Sequence, residues 1–511
     1  MTVAMTAVLW LAIATTGDAH AAPVTIAIDD RSAFHVHPPG KPFTLGVRIN
    51  LPKQSALQYQ WRDYRGQVLT DFTPIGSGHS TLSSPRAVPG YYGLVFRAAS
   101  GVRLPDRELG EEREYGFVIA PARAQSKLTE AAAQFGLVHA ELGDPCVPAW
   151  VKTATWQTYG PTTWAAEMRR RRAAGATELP LVMGAEWEQD DSRAIGGADL
   201  TALQARLRHY FAADPKTRYW ELGLEENLDA RYRQPFYWSN LAAKATAARR
   251  AAAADVRFIY QIAELDIAPV QRFLSSAAAA RFGVLALHPY AWPDFPAPER
   301  WLGKYLQSVR DVMRKTGTDM PIWFTEVGAP QHGNAAGRFF GYPESNRAVK
   351  GLGPASAARF LVKLHVLALH DGVEKIFWYN YRDRHAARDQ AEQHFGLRDF
   401  WGFPKPVYAA WCHMQHTLAK GRPTAARETH DGLWIRGFDN KRERVWVLWT
   451  YPETSRHIAL DVLDARLTNR DVIALRDSVG TPLALDDERI PVGADPVYLV
   501  TRIKDHGSRA R

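Results

Sequence analysis

Two runs of apolar and aromatic residues in this 511-residue chain each reach a carboxylate and then a turn. The first is Tyr219-Trp220-Glu221-Leu222-Gly223-Leu224-Glu225-Glu226-Asn227, and the second is Pro321-Ile322-Trp323-Phe324-Thr325-Glu326-Val327-Gly328. Such a run reads as a buried strand, and a Glu at its end is presented at the rim of a sheet. Glu225 and Glu326 are therefore candidates for a pair in one cleft. Two carboxylates about 5–5.5 Å apart can break a glycosidic bond with retention, one as proton donor and one as nucleophile. Glu186, Glu188, Glu221 and Glu226 compete with them. Glu221 alternates with an apolar neighbour and is expected to point elsewhere in its strand.

The elements around these runs say what must position them. From about residue 127 to 420, short apolar runs alternate with helical stretches. The runs are 136–140, 151–155, 179–184, 219–224, 256–262, 284–288, 322–326 and 375–379, with Ala-rich helices such as 241–254 and 355–370 between them. This alternation predicts an α/β fold, a (β/α)8 barrel whose active site lies at the C-terminal ends of the strands. That rule makes His139, Glu141, Trp156, Glu186, Trp187, Glu225, His288, Tyr290, Glu326, Trp378 and Asn380 the residues to watch. Residues 24–120 read as an N-terminal β-sandwich, with Pro121 to Ser126 as a linker. Residues 425–504 read as a C-terminal β domain with a hairpin around Asp439-Asn440. The stretch from Gln331 to Gly353 is long for a βα loop and is a candidate lid or cleft wall.

Composition is globular, with 46% hydrophobic residues, and its 17 Trp serve either large cores or sugar-stacking surfaces. The formal net charge of +9 is diffuse, and Arg169 to Arg172, the one tight basic run, reads as a solvated helix face. A basic surface favours an acidic partner such as an anionic polysaccharide, and no nucleic-acid motif accompanies it. Met1 to Ala22 has the pattern of a signal peptide cleaved near Ala21 or Ala22, which predicts a periplasmic or secreted protein. No later stretch is apolar for long enough to span a membrane. Cys146 and Cys412 are the only cysteines, and an exported chain permits a bridge between them. The spacing His35-x-His37 resembles a metal pair, but two ligands on one strand do not make a site. No cofactor or metal is expected, and the chain is expected to be a monomer.

Further along, the residues resemble a known group. Trp220-Glu221-Leu222-Gly223-Leu224-Glu225 is similar to the strand-four signature of the clan A glycoside hydrolases, whose second Glu is the acid/base. The run ending in Glu326 resembles the strand-seven segment that carries their nucleophile. Leu285-Ala286-Leu287-His288-Pro289-Tyr290 and Phe377-Trp378-Tyr379-Asn380-Tyr381-Arg382-Asp383 resemble strands six and eight. His394-Phe395-Gly396-Leu397 and Pro404-Lys405-Pro406-Val407-Tyr408 resemble the end of the barrel in bacterial relatives of glycoside hydrolase family 39, some of which cut biofilm exopolysaccharides.

The resemblance implies an exported retaining β-glycosidase acting on a polysaccharide or oligosaccharide, with Glu225 as acid/base and Glu326 as nucleophile. It implies Trp378 as the floor of the cleavage subsite, and His288, Tyr290, Asn380, Glu186, Trp187 and His139 as substrate contacts. Leu224 stands where the group has an Asn that holds the sugar's 2-hydroxyl. That departure keeps open a non-catalytic carbohydrate-binding barrel, and a transglycosylase in polysaccharide synthesis or export using the same residues is a further alternative.

Overall fold

The computed structural model describes residues 24–52, 55–98, 103–105, 111–121, 133–154, 161–182, 200–223, 225–228, 235–331, 336–337, 349–386, 391–440 and 442–503. At its centre eight parallel strands close into a barrel. They are β1 (Phe135–Val138), β2 (Trp150–Ala154), β3 (Thr177–Val182), β4 (Tyr219–Leu222), β5 (Arg257–Ala263), β6 (Val284–His288), β7 (Ile322–Val327) and β8 (Lys375–Trp378). Each pairs with the next, and β8 pairs with β1 to close the ring. The (β/α)8 architecture expected from the sequence is the one observed.

Among the described residues, seven helices cover the barrel: α1 (Pro161–Ala173), α2 (Leu200–Ala213), α3 (Pro235–Ala251), α4 (Ile267–Leu274), α5 (Leu302–Thr316), α6 (Pro354–His370) and α7 (Pro406–Leu418). Local chemistry sets their ends. Asp266 caps α4 by accepting from the Ala268 amide, and Pro opens both α6 and α7. Gly317 stops α5 with a φ of 65°. In α5, Leu302, Tyr305, Leu306, Val309, Val312 and Met313 recur at spacings of three and four and are buried against the strands.

The barrel interior is filled in layers, as period-two alternation requires. At the lower end, Trp150, Tyr219, Trp323 and Phe377 meet across the axis. The Trp150 ring lies 5.7 Å from Tyr219, 5.6 Å from Trp323 and 6.2 Å from Phe377. Lys375 closes the layer from below, its Nζ 4.9 Å from the Trp150 ring centre and 2.8 Å from the carbonyl oxygen of Ala133. One step up on β2, β4 and β7, the inward residues are Lys152, Glu221 and Thr325.

Two β regions flank the barrel. In the first, a three-stranded sheet (Thr25–Asp29, Thr44–Asn50, Gly78–Ser83) faces a five-stranded one built on Leu57–Arg62, Gly90–Ala98 and Arg113–Ile119. Phe43, Trp61, Phe96 and Phe117 are buried between them. His35 and His37 both contact Asp30, at 2.9 and 3.3 Å, and stack on Phe403 and Phe43. Through Phe403 they help dock this region on the barrel. In the second region a five-stranded sheet contains the expected hairpin, Leu433–Asn440 against Glu443–Thr450.

Cys146, in the loop after β1, is bonded to Cys412 in α7. Among the described residues, no helix is long and apolar enough to cross a membrane. The signal-peptide segment and most of the candidate lid lie outside the described residues.

Candidate active site

The two Glu-bearing strands reach the same mouth by different local devices. After β4, Gly223 takes a φ of 79° and Glu225 one of 46°, so the chain turns sharply into a short 3-10 segment, Glu226–Leu228. Glycine adopts that first conformation freely; Glu225 does so only because its surroundings hold it there. Asn227 supplies part of the hold. Its Oδ1 accepts from the Ala263 amide at 2.8 Å and its Nδ2 donates to the Ala263 carbonyl at 3.1 Å, tying the turn to the end of β5.

On β7, Trp323 and Thr325 point inward, so strict alternation would send Glu326 out. The register between β7 and β8 shifts between Phe324 and Val327, and Glu326 faces the axis as well. An irregularity of this kind re-aims a side chain at a barrel rim.

Between the strands lies a buried charge network. The Nζ of Lys152 sits 2.6 Å from Glu221 and 2.9 Å from Glu326. Thr325 donates its hydroxyl hydrogen to Glu221. The Thr325 oxygen is then free to accept from His288 Nε2, 2.9 Å away, while His288 Nδ1 donates to Glu225 Oε1 at 2.8 Å. This directionality uses both ring nitrogens as donors, so the imidazole is the cation. Burial pushes the His288 pKa down, but Glu326 and the bonds to Glu221 and Glu225 carry it up to about 9.

Burial works against ionisation of Glu221 and Glu326 too, and Lys152 overrides it. Glu221 falls to about 2, and Glu326 lies below the usual carboxylate range, helped by His288. Lys152, penalised by burial, is held above its ordinary value by the same two carboxylates. Lys152 and His288 approach to 3.5 Å, a contact of like charges that the surrounding carboxylates offset.

Glu225, His288 and Glu326 bring one ligand atom each within 4.8 Å of one another. By distance alone that set could hold a metal ion. The donor chemistry does not fit one: an imidazolium has no lone pair to give, and the Lys152 ammonium sits beside it. What the arrangement does provide is one ionised carboxylate, Glu326, facing a second, Glu225, whose Oε2 is not used by His288.

Around this pair the mouth is lined by aromatic and charged groups. The nearly buried Tyr290 donates to Glu326 at 3.4 Å. Its ring centre is 6.4 Å from Tyr379 and 5.9 Å from the half-exposed Trp292. His139 turns out of β1 with a φ of 58° and keeps its residue exposed. Desolvation at the wall, then the cation of Arg384, push its pKa down to about 4, leaving a neutral ring. Glu141 is also exposed and lies 3.6 Å from Arg382.

Two residues are placed differently from the expectation. Trp378 is fully buried; its ring packs on Phe360 and His365 of α6, and its Nε1 donates to the Phe395 carbonyl. Phe377 points into the barrel, so Trp378, one residue on, must point out to the helices. It is core, and the inward aromatic at this end is Tyr379. Glu221, expected elsewhere, faces the axis and belongs to the network. Asn380 is buried, its backbone bonded to Phe395 and Leu397. Trp156, Glu186, Trp187, Glu188 and Leu224 lie outside the described residues.

Lys152, Thr325, Tyr379 and Arg384 were not singled out from the sequence. Lys152 left a legible trace, a lone ammonium in the middle of Trp150-Val151-Lys152-Thr153-Ala154, sharing the inward parity of Trp150.

No family model matches the chain, and no curated protein matches it. Among solved structures, a family 39 glycoside hydrolase from Bacteroides cellulosilyticus WH2 superposes with a TM-score of 0.61 at 15% identity, covering 93% of this chain and 100% of its own. A GH30 endoxylanase from Clostridium papyrosolvens C71 gives 0.48 at 11% identity, over 74% of this chain and 98% of its own. A conserved exported protein from Bacteroides fragilis also gives 0.48, at 10% identity, over 70% and 88%. The fold of this chain is that of the family 39 structure across nearly its whole length.

Proposed function

We propose that the chain is an exported, periplasmic or secreted, retaining β-glycosidase that cleaves a polysaccharide or oligosaccharide of the exopolysaccharide type. The observation that carries this reading is the pair itself. Glu225 and Glu326 reach one barrel mouth from the ends of β4 and β7, and one carboxylate oxygen of each lies within 4.8 Å of the other. That separation suits a sugar carbon between a proton donor and a nucleophile, and is too small for the extra water an inverting mechanism needs.

Glu326, kept ionised by Lys152 and His288, attacks the anomeric carbon. Glu225 gives a proton through Oε2 to the leaving oxygen, while Oε1 stays fixed on His288. Forming the glycosyl ester neutralises Glu326 while Glu225, having given up its proton, becomes the anion, so the negative charge moves from one carboxyl to the other within the cluster. Glu225, having delivered its proton, then draws a proton from water, and the water opens the ester. Tyr290, bonded to Glu326, steadies the nucleophile's second oxygen.

The test is release of new reducing ends from a polysaccharide panel by wild type, Glu225→Gln and Glu326→Gln. Each substitution is expected to lower kcat by roughly 10³-fold or more. The product first formed should have the β configuration by NMR. Full activity in either variant, or a first product of inverted configuration, overturns the assignment.

A further inference from the structure

Among the described residues of the mouth, Arg384 has no counter-ion at contact distance. It follows β8 and is exposed, as are Arg382 and His385, while Asp383 between them is buried; its amide donates to the Gln393 carbonyl at 3.0 Å. Its guanidinium carbon stands 5.4 Å from the centre of the Tyr379 ring. Its Nη2 donates to His139 Nε2 at 3.3 Å. Among the described residues, no carboxylate oxygen comes within 4.0 Å of its nitrogens. Glu326 and Glu392 act in the same neighbourhood, but from farther away.

A guanidinium held by a ring on one side and a neutral imidazole on the other is oriented, yet most of its donors remain unspent. Its planar fork matches a carboxylate in a two-point contact. Location adds to this. Tyr379 adjoins Tyr290, which bonds to Glu326, so a relay of contacts links Arg384 to the carboxylate proposed as nucleophile. The chain's net charge of +9 would also draw an acidic polymer towards the mouth.

We propose that Arg384 reads the carboxylate of a uronic acid seated in or beside the cleavage position, so that the substrate is an acidic, uronic-acid-containing β-linked polysaccharide. This assignment rests on the glycosidase reading above.

The experiment compares polysaccharides of this kind with carboxyl-reduced samples of the same polymers, in which each carboxylate has become a primary alcohol. Wild type, Arg384→Gln and Arg384→Lys are assayed for reducing ends on both. Wild type is expected to cut the acidic polymer with a kcat/KM roughly 10- to 100-fold above its reduced twin. Arg384→Gln should erase that preference by losing activity on the acidic polymer alone, and Arg384→Lys should keep part of it. Equal or better cleavage of the reduced twin by wild type overturns the proposal, as does an equal loss on both polymers in Arg384→Gln. Cleavage of neutral polysaccharides only would overturn it while leaving the glycosidase reading intact. Absence of cleavage on every polymer would overturn both.

Discussion

The same strands of this barrel carry two interior layers of opposite character, one step apart. Trp150, Tyr219 and Trp323 make the lower layer; Lys152, Glu221 and Thr325, two residues along β2, β4 and β7, begin the upper one. The lower layer is apolar, closed by Lys375, and has nothing to accomplish except filling space. The upper layer puts two carboxylates, an ammonium and an imidazolium into the same low-dielectric surroundings, with the partly exposed Glu225 at their rim. Charges buried in that way cost more than packed hydrophobes of the same volume. The lower end holds one ammonium, Lys375, satisfied by a carbonyl and two rings, whereas the carboxylates gather at the end where Glu225 and Glu326 converge, as the proposed chemistry requires.

Removing the one ammonium that serves two carboxylates should separate the layers most sharply. Lys152→Met keeps the volume and leaves His288 as the one remaining cation of the described network beside Glu221 and Glu326. Stability is expected to fall by about 3–5 kcal/mol in denaturant titrations. The kcat/KM of the folded protein should fall by roughly 100-fold, with its acidic limb displaced to higher pH. An unmoved acidic limb would show that Lys152 does not hold Glu326, the proposed nucleophile, ionised.

Trp323→Ala attacks the other layer. It should cost a similar 3–5 kcal/mol through the cavity it leaves. Activity per folded molecule should be nearly unchanged. A loss of activity as large as that of Lys152→Met would mean that the two layers are not separable.

The smallest expected effect is the pH dependence that only the upper layer can impose. Glu221 drops from an ordinary 4.5 to about 2 on folding, so its contribution is present above pH 4.5 and lost as pH falls towards 2. His288 rises from 6.5 to about 9, so its contribution is complete below pH 6.5 and lost as pH climbs to 9. The layer is therefore most stabilising, relative to the unfolded chain, between about pH 4.5 and 6.5. Unfolding free energies measured from pH 3 to 9.5 should peak there, and Glu221→Gln should flatten the acid side. An unchanged acid slope in that variant would remove Glu221 from the account.

Much of this was legible because it depends on local pattern. The eight apolar runs matched the eight strands, and Glu225 and Glu326 stood out because a strand ending in a carboxylate is uncommon in a core. Trp378 was misread since a strand end gives no direction for its side chain; only Phe377 meeting Trp150 across the axis shows which of two neighbours points in. Glu221 was misread for the related reason that a buried Glu looks implausible until its counter-ion is seen. Lys152 lies on another strand, some 70 positions earlier.

The sequence by itself determined the barrel, its flanking β regions and the two carboxylates, because hydrophobic periodicity and strand ends are properties of neighbouring residues. The tertiary structure decided the remainder. It joined Lys152, Glu221, Thr325, His288 and both glutamates from β2, β4, β6 and β7 into one network. It turned Glu326 inward through a register shift that depends on β8, and it placed Arg384 beside His139. Contacts between distant segments are fixed by barrel closure, and no local pattern encodes which ones will meet.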